Sequence, residues 1–286
     1  MSLDPRTPVL IGYGQVNHRD EIDPGTRSVE PLDLMAEAAH QAAEARVIGA
    51  VDSIRVVNIL SARYRDPGLL LGQRIGATDF TTLNSPIGGN VPQSLVNQAC
   101  LDIARGRAGV VLLAGAETWR TRRGLRAKGG KLAWTVQDDS VPLPEMAGED
   151  VPMAGDADSR IGLDRPAYVY PLFEQALRIA NGESVDGHRA RVGELWARFN
   201  AVAVGNPHAW IRTPVTADEI CRPGPRNRMI SWPYTKLMNS NNMVDQGAAL
   251  VLTSVEEATR LGIPSERWVF PHAGTEAHDT YAIAER

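Results

Sequence analysis

The chain has 286 residues, 43% hydrophobic and 22% charged, with a net charge of -4; that is the balance of an ordinary globular protein with room for one large core or two smaller ones. The acidic balance argues against nucleic acid as the main partner, and no apolar run reaches the length of a membrane span. The opening Met1-Ser2-Leu3-Asp4-Pro5-Arg6 lacks the apolar stretch of a secretory signal, so a cytoplasmic protein is expected.

Pro8-Val9-Leu10-Ile11-Gly12-Tyr13-Gly14 reads as a buried strand. Gly12-x-Gly14 invites a dinucleotide-binding assignment, but Asn17 stands at the third glycine position and the polar run His18-Arg19-Asp20-Glu21 follows, where a helix would have to open. Pro31 to Ala45 is an amphipathic helix carrying Leu32, Met35, Ala39 and Ala42 on one side; Val51 to Leu60 reads as a strand and Leu69 to Ile75 as a shorter helix. After the apolar run Phe80 to Leu83 comes the turn Gly88-Gly89-Asn90-Val91-Pro92-Gln93. Asn90 and Gln93 have the spacing of a capping pair, and Pro92 suits a first helical turn. Val91, Leu95, Val96, Ala99, Cys100, Ile103 and Ala104 then recur at helical spacing until Gly106, and Val110 to Glu117 is a buried strand. A glycine turn feeding a helix presents free N–H groups and partial positive charge, which suits a thioester carbonyl, a thiolate or a phosphate.

Beyond Glu117, Arg120, Arg122, Arg123, Arg126, Lys128 and Lys131 form a basic run, and Asp138 to Asp158 is an aperiodic acidic stretch expected to be an exposed or mobile loop. Helical pattern returns at Pro171 to Ala180 and Gly187 to Val204. Asp245 to Leu252 reads as a strand, Glu256 to Leu261 as a helix, and Trp268-Val269-Phe270 as a last strand. Alternating strands and helices predict an α/β protein with a mostly parallel sheet covered by helices.

The order of these features resembles the thiolase superfamily, in which a Cys-Gly-Ser-Gly-like turn is followed by a helix, a glycine and a strand ending Ala-Gly-Gly-x-Glu. Ile103-Ala104-Arg105-Gly106 and Ala114-Gly115-Ala116-Glu117 match the second half of that pattern. Phe199-Asn200 through Gly205-Asn206-Pro207-His208-Ala209 resembles the loop domain of sterol-carrier-type thiolases, and Asp245-Gln246-Gly247-Ala248-Ala249 the family's Asp-Gly-Ala-Ala return strand. The resemblance implies a mixed, mostly parallel sheet with an inserted loop domain. Its parts would be an N-terminal domain over residues 1–119, the loop domain over 120–231, a return strand and helix over 232–265, and the start of a C-terminal half over 266–286. On this resemblance the second half of the fold, with the family's histidine motif and second cysteine, is expected to be largely absent from the sequence.

Counting back from Gly106, the position of the family's nucleophilic cysteine falls on Gly89. Covalent acyl transfer by that route is therefore not expected; what the resemblance leaves is a turn whose backbone at Gly88, Gly89 and Asn90 would act as oxyanion donors. Cys100 lies eleven residues on, roughly 16 Å along the helix at about 1.5 Å per residue, on the apolar face where a core residue belongs. Cys221 sits outside any nucleophile-like turn, and two such distant cysteines make neither a disulfide framework nor a metal site. His272, Glu276, His278 and Asp279 form a linear group better read as a solvated loop than as metal ligands. His18, His40, His188 and His208 show no metal spacing, and no Gly-x-Ser-x-Gly or phosphate-loop motif occurs.

The resemblance implies a thiolase-like protein of the acetyl-CoA acetyltransferase family, in lipid metabolism, that takes acyl-CoA thioesters as substrate or ligand. Any catalysis would be non-covalent carbonyl chemistry such as carbon–carbon cleavage, and no bound cofactor or metal is implied. Arg120, Arg122, Arg123 and Arg126 are candidates for the CoA phosphates, against the alternative of a solvated basic loop. The alternative function is a non-catalytic acyl-CoA or lipid-binding or assembly protein. A homodimer, or a partner supplying the missing half, is expected.

Overall fold

The computed structural model of the chain describes residues 3–25 and 27–285; Met1 and Ser2 of the opening segment, and Arg286 at the end of the last sequence segment, lie outside them. The chain divides into two compact units, Met1–Val151 with Asn242–Ala277, and Pro152–Asn241 with His278–Arg286. In the first unit the elements run β1 (Pro8–Asn17), α1 (Pro31–Ala42), α2 (Ala45–Ile48), β2 (Ser53–Val56), α3 (Pro67–Ile75), β3 (Thr81–Asn84), α4 (Val91–Ala104), β4 (Val110–Thr118), α5 (Trp119–Ala127) and β5 (Glu145–Met146). The second unit follows with α6 (Asp156–Arg160), α7 (Pro166–Ala180), α8 (Val185–Gly205), α9 (Ala217–Cys221), β6 (Met229–Ser231) and β7 (Tyr234–Thr235), before β8 (Asp245–Ser254) and α10 (Val255–Arg260) complete the first.

The main sheet has the order β1-β8-β4-β2-β3-β5. β4, β2, β3 and β5 are parallel, while β8 runs antiparallel to both β1 and β4. β4 carries no polar side chain from Val110 to Ala116 because both of its faces are covered there: Val110, Leu112 and Ala114 join one core with Leu32, Met35 and Leu71, and Val111 and Leu113 join another with Leu95, Ala99 and Ile103 of α4. The mixed, mostly parallel sheet expected from the sequence is the one observed.

Gly12 and Gly14 have a packing role. A Cβ on Gly12 would lie 1.9 Å from the Ala42 carbonyl oxygen, and one on Gly14 2.0 Å from that of Ala38. The glycines let α1 rest directly on β1, as close approach of two backbones requires.

Several element boundaries differ from the sequence reading. The strand expected over Val51 to Leu60 ends at Val56, because the next loop is held elsewhere: the Glu117 carboxylate accepts from the N–H groups of Leu60 and Ser61, both at 2.7 Å. α1 stops at Ala42, where Ala43 turns extended (φ -149, ψ 144). The basic run begins in a helix, α5. The acidic stretch expected as an exposed or mobile loop is mostly exposed, and it is tied at several points: Ala147 N donates to Asn84 O at 2.8 Å, Arg65 Nε donates to Val141 O, and buried Asp158 accepts from Ile283 N at 2.9 Å. Trp268-Val269-Phe270 forms no strand; Val269 alone bridges Leu10 (2.9 and 3.0 Å). A register shift in β1 between Leu10 and Gly12 interrupts the edge there.

Candidate functional site

β3 delivers the chain to the glycine turn. Ser85, fully buried, fixes the exit: its hydroxyl accepts from Asn58 N at 3.0 Å and donates to Pro86 O at 2.9 Å. Ile87 N donates to Asp150 Oδ1 at 3.5 Å, and α4 starts at Val91 with Pro92 in its first turn. Among the described residues the amides of Gly88, Gly89 and Asn90 donate no hydrogen bond. Gly89 and Asn90 are exposed and Gly88 is half-buried. The turn therefore offers backbone donors at the positive end of a fourteen-residue helix.

Asn90 occupies the N-cap position but makes no side-chain cap, contrary to the Asn90–Gln93 pair expected. Its backbone is already helical (φ -87, ψ -18), whereas a capping side chain needs an extended residue beneath it. Its Oδ1 instead lies toward Gly88, 2.9 Å from where a Cβ there would be, and Gln93 Nε2 donates to Asn97 Oδ1 at 2.9 Å. Gly89 differs from Gly88. Its φ is not in the left-handed region, and a Cβ built on it would meet nothing within 4 Å. Neither backbone conformation nor space demands glycine at this position.

Neither cysteine replaces the missing thiol. Cys100 is half-buried against the α4 core, and burial pushes its thiol up, only partly opposed by Arg55. Cys221 is buried, its thiol donates to Arg189 O at 3.2 Å, and burial pushes it up as well. Reactive cysteines have the opposite setting.

The four arginines separate into two pairs. Arg120 is committed inward: Nη1 lies 3.3 Å from fully buried Asp245, and Nη2 donates to Asp20 O at 2.8 Å. Arg122 donates to Ser61 O at 2.6 Å and lies over the Trp119 ring at 5.1 Å. Arg123 and Arg126 are exposed, Arg123 with Nη1 4.0 Å from Met243 Sδ. His272, Glu276, His278 and Asp279 are all exposed, and among the described residues no group of three or more His, Cys, Asp or Glu could hold a metal ion. No helix among them is long and apolar enough to cross a membrane.

Sequence reasoning missed a buried polar network behind the sheet. Glu30 accepts from Tyr64 Oη (2.9 Å), Arg74 Nη2 (2.9 Å), Thr135 N (2.9 Å) and Thr135 Oγ1 (2.8 Å). Burial pushes the Glu30 carboxyl up, but these hydrogen bonds outweigh it and hold the group below the usual carboxylate range. Burial, then the Glu30 charge, pushes the Tyr64 phenol up. The only sequence signal was a charged residue directly before the helix-opening Pro31.

An α/β sheet with β8 reversed between β1 and β4, and a glycine turn opening the helix beneath it, define a protein of thiolase-like fold. Its sequence is 30% identical to a monomeric SCP2-thiolase like protein type 1 (STLP1) from Mycobacterium smegmatis, whose crystal structure superimposes with a TM-score of 0.73 over 94% of this chain and 50% of that one. The same fold recurs in an Ltp2-ChsH2(DUF35) aldolase (TM-score 0.58, 21% identity, 89% of this chain and 57% of that one). It recurs again in the dimeric peroxisomal thiolase of Saccharomyces cerevisiae (TM-score 0.55, 13% identity, 92% and 68%). The chain thus spans about half the length of the first of these relatives. No protein-family model and no curated protein matches the sequence.

Proposed function

We propose that the protein binds acyl-CoA thioesters at the turn Gly88–Asn90, with the thioester oxygen facing the amides of Gly88, Gly89 and Asn90. The observation that carries this reading is the exposed turn with unused donors at the head of α4. Donors fixed by the fold stabilise a developing oxyanion without reorganising. Gly89 brings no nucleophile, so turnover through an acyl-enzyme is not part of the proposal. Any reaction would be non-covalent carbonyl chemistry such as carbon–carbon cleavage, with acid and base from a partner or a second copy of the chain. The CoA phosphates are assigned to exposed Arg123 and Arg126, since Arg120 and Arg122 already have internal partners. The missing thiol equally favours a second reading, a non-catalytic acyl-CoA or lipid-binding protein in lipid metabolism.

Calorimetric titration with CoA and acetyl-CoA tests both readings. Micromolar binding that weakens with salt, and falls about tenfold in Arg123→Ala/Arg126→Ala, is expected if the phosphates are held there. Folded protein that binds neither ligand would end the proposal. Incubation with acyl-CoA then separates the two readings, because only an enzyme changes the ligand.

A further inference from the structure

The second unit turns an apolar helix face outward. α7 meets the rest of the unit through polar groups: the Tyr234 hydroxyl donates to Glu174 Oε2, His188 Nε2 lies 2.8 Å from Glu174 Oε1, and Arg178 Nη1 donates to Glu183 O at 2.9 Å. Pro171 is buried on the same side, and Ala167 and Val169 are half-buried. These contacts fix which face of α7 points out. Every exposed residue on it is aliphatic or aromatic and none is charged, the reverse of a surface helix that hides its apolar stripe.

The spacing on that face is regular. Pro166, Tyr170, Phe173, Leu177 and Ala180 are all exposed and follow one another at steps of four, three, four and three. This is the narrow seam along which one helix packs against another. It reads the same from either end, with Phe173 at the middle of the fifteen-residue helix. Tyr168, Tyr170, Leu172, Phe173, Leu177 and Ile179 are exposed at 38%, 59%, 45%, 39%, 57% and 68%. At roughly 200 Å² for a large side chain, they leave about 600 Å² open on one chain, the upper end of what a monomer shows. Two such faces make about 1,200 Å², where specific interfaces begin.

We propose that this face is a homodimer interface, in which the α7 helices of two copies pack antiparallel about a two-fold axis at Phe173. A two-fold contact uses one patch twice, so the patch must complement itself. The seam does so because its spacing is symmetric: with Phe173 on the axis, Tyr170 comes level with the partner's Leu177 on either side. Antiparallel pairing also opposes the two helix dipoles. No charge lies on the face, so closing it carries no cost of burying an ion. A lipid surface fits less well. A helix lying on a membrane turns Lys and Arg toward the headgroups, whereas Glu174 and Arg178 of α7 face into the protein.

Sedimentation equilibrium of the full chain between about 1 and about 100 µM tests the interface. A dimer is expected in the wild type, and Leu177→Glu should weaken it at least about tenfold, since each copy would then bury a charge. Leu177 is exposed, so the variant should keep the wild-type circular dichroism. A second variant reads the axis directly. Phe173→Cys should give a disulfide-linked dimer under mild oxidation, because the two-fold brings position 173 to its own copy. Val202→Cys on α8, exposed at 74% but off the seam, should not; the native Cys100 and Cys221 are half-buried and buried. A wild type that stays monomeric, a dimer that Leu177→Glu leaves intact, or a dimer that Phe173→Cys fails to link would overturn the proposal. So would a monomer that sediments with phosphatidylcholine vesicles and loses this in Leu177→Glu, which would give the face to lipid.

Discussion

Gly89 and Glu30 show two ways in which one residue determines local chemistry. At Gly89 the surroundings leave room for a side chain, so Gly89→Cys should change stability by less than about 0.5 kcal/mol in urea unfolding. A thiol there would sit at a helix N-terminus, which favours the thiolate. Incubation of this variant with acetyl-CoA should give an acetyl adduct by mass spectrometry if the remaining geometry suits acyl transfer, and an unmodified thiol if it does not. Glu30 has the reverse setting, with every direction occupied. Glu30→Ala would leave Arg74 with Asp33 as its remaining carboxylate and take the acceptor from Tyr64 Oη and Thr135 N, and should cost about 3 kcal/mol, as removal of one member of a buried pair does. The folded Glu30 carboxyl lies below its ordinary value of 4.5, so the fold binds that proton less readily than the unfolded chain. Its contribution is complete above the unfolded value and is lost as the pH falls through the lower folded value. Acid titration of the wild type should therefore show a loss of stability below about pH 4.5 that is reduced in Glu30→Gln.

Among the elements, the α1–β1 contact is the most restrictive. A methyl on Gly12 would run into the Ala42 carbonyl, a backbone atom that cannot swing aside. Gly12→Ala should accordingly destabilise by about 1–3 kcal/mol, visible as a lower urea midpoint; an unchanged midpoint would mean that α1 shifts freely on the sheet. Pattern made α4 and β4 legible, since Leu95, Ala99 and Ile103 repeat every helical turn and β4 opens with the unbroken apolar run Val110 to Ala114. It could not find what holds residues 134–146. Thr135 is fixed by Glu30, 105 positions away, and Gln137 by Asp66, 71 positions away. Polar pairs so distant in sequence leave no local pattern. The Asn90 cap failed for a related reason: the spacing was right, but backbone angles at a tight turn are set by what the turn joins.

For the whole molecule, the two compact units differ in how much they bury. The first unit closes two apolar cores around its sheet, whereas the second gathers one small core around Val192, Ile220, Cys221 and Met238. Since stability follows buried apolar area, the second unit should open first on heating. Limited proteolysis at rising temperature should cut within residues 152–241 before it cuts the sheet; simultaneous loss of both would show that they unfold as one. The mixed sheet was legible at this scale because strand and helix order survives in sequence. The candidate turn was legible through its glycines and its place between Phe80 and Val91. The buried setting of His188 between Glu174 and Glu183 was not, since His188 belongs to no motif.

The donors at the glycine turn belong to peptide bonds, so no exchange of side chains short of proline, which has no N–H, removes them. Alanine scanning across positions 88–90 would pass over the site, and sequence drift there would leave its polarity intact for as long as α4 begins at Val91. Only an edit of the main chain, such as an amide-to-ester replacement at Gly89 in semisynthetic protein, deletes a donor while preserving shape.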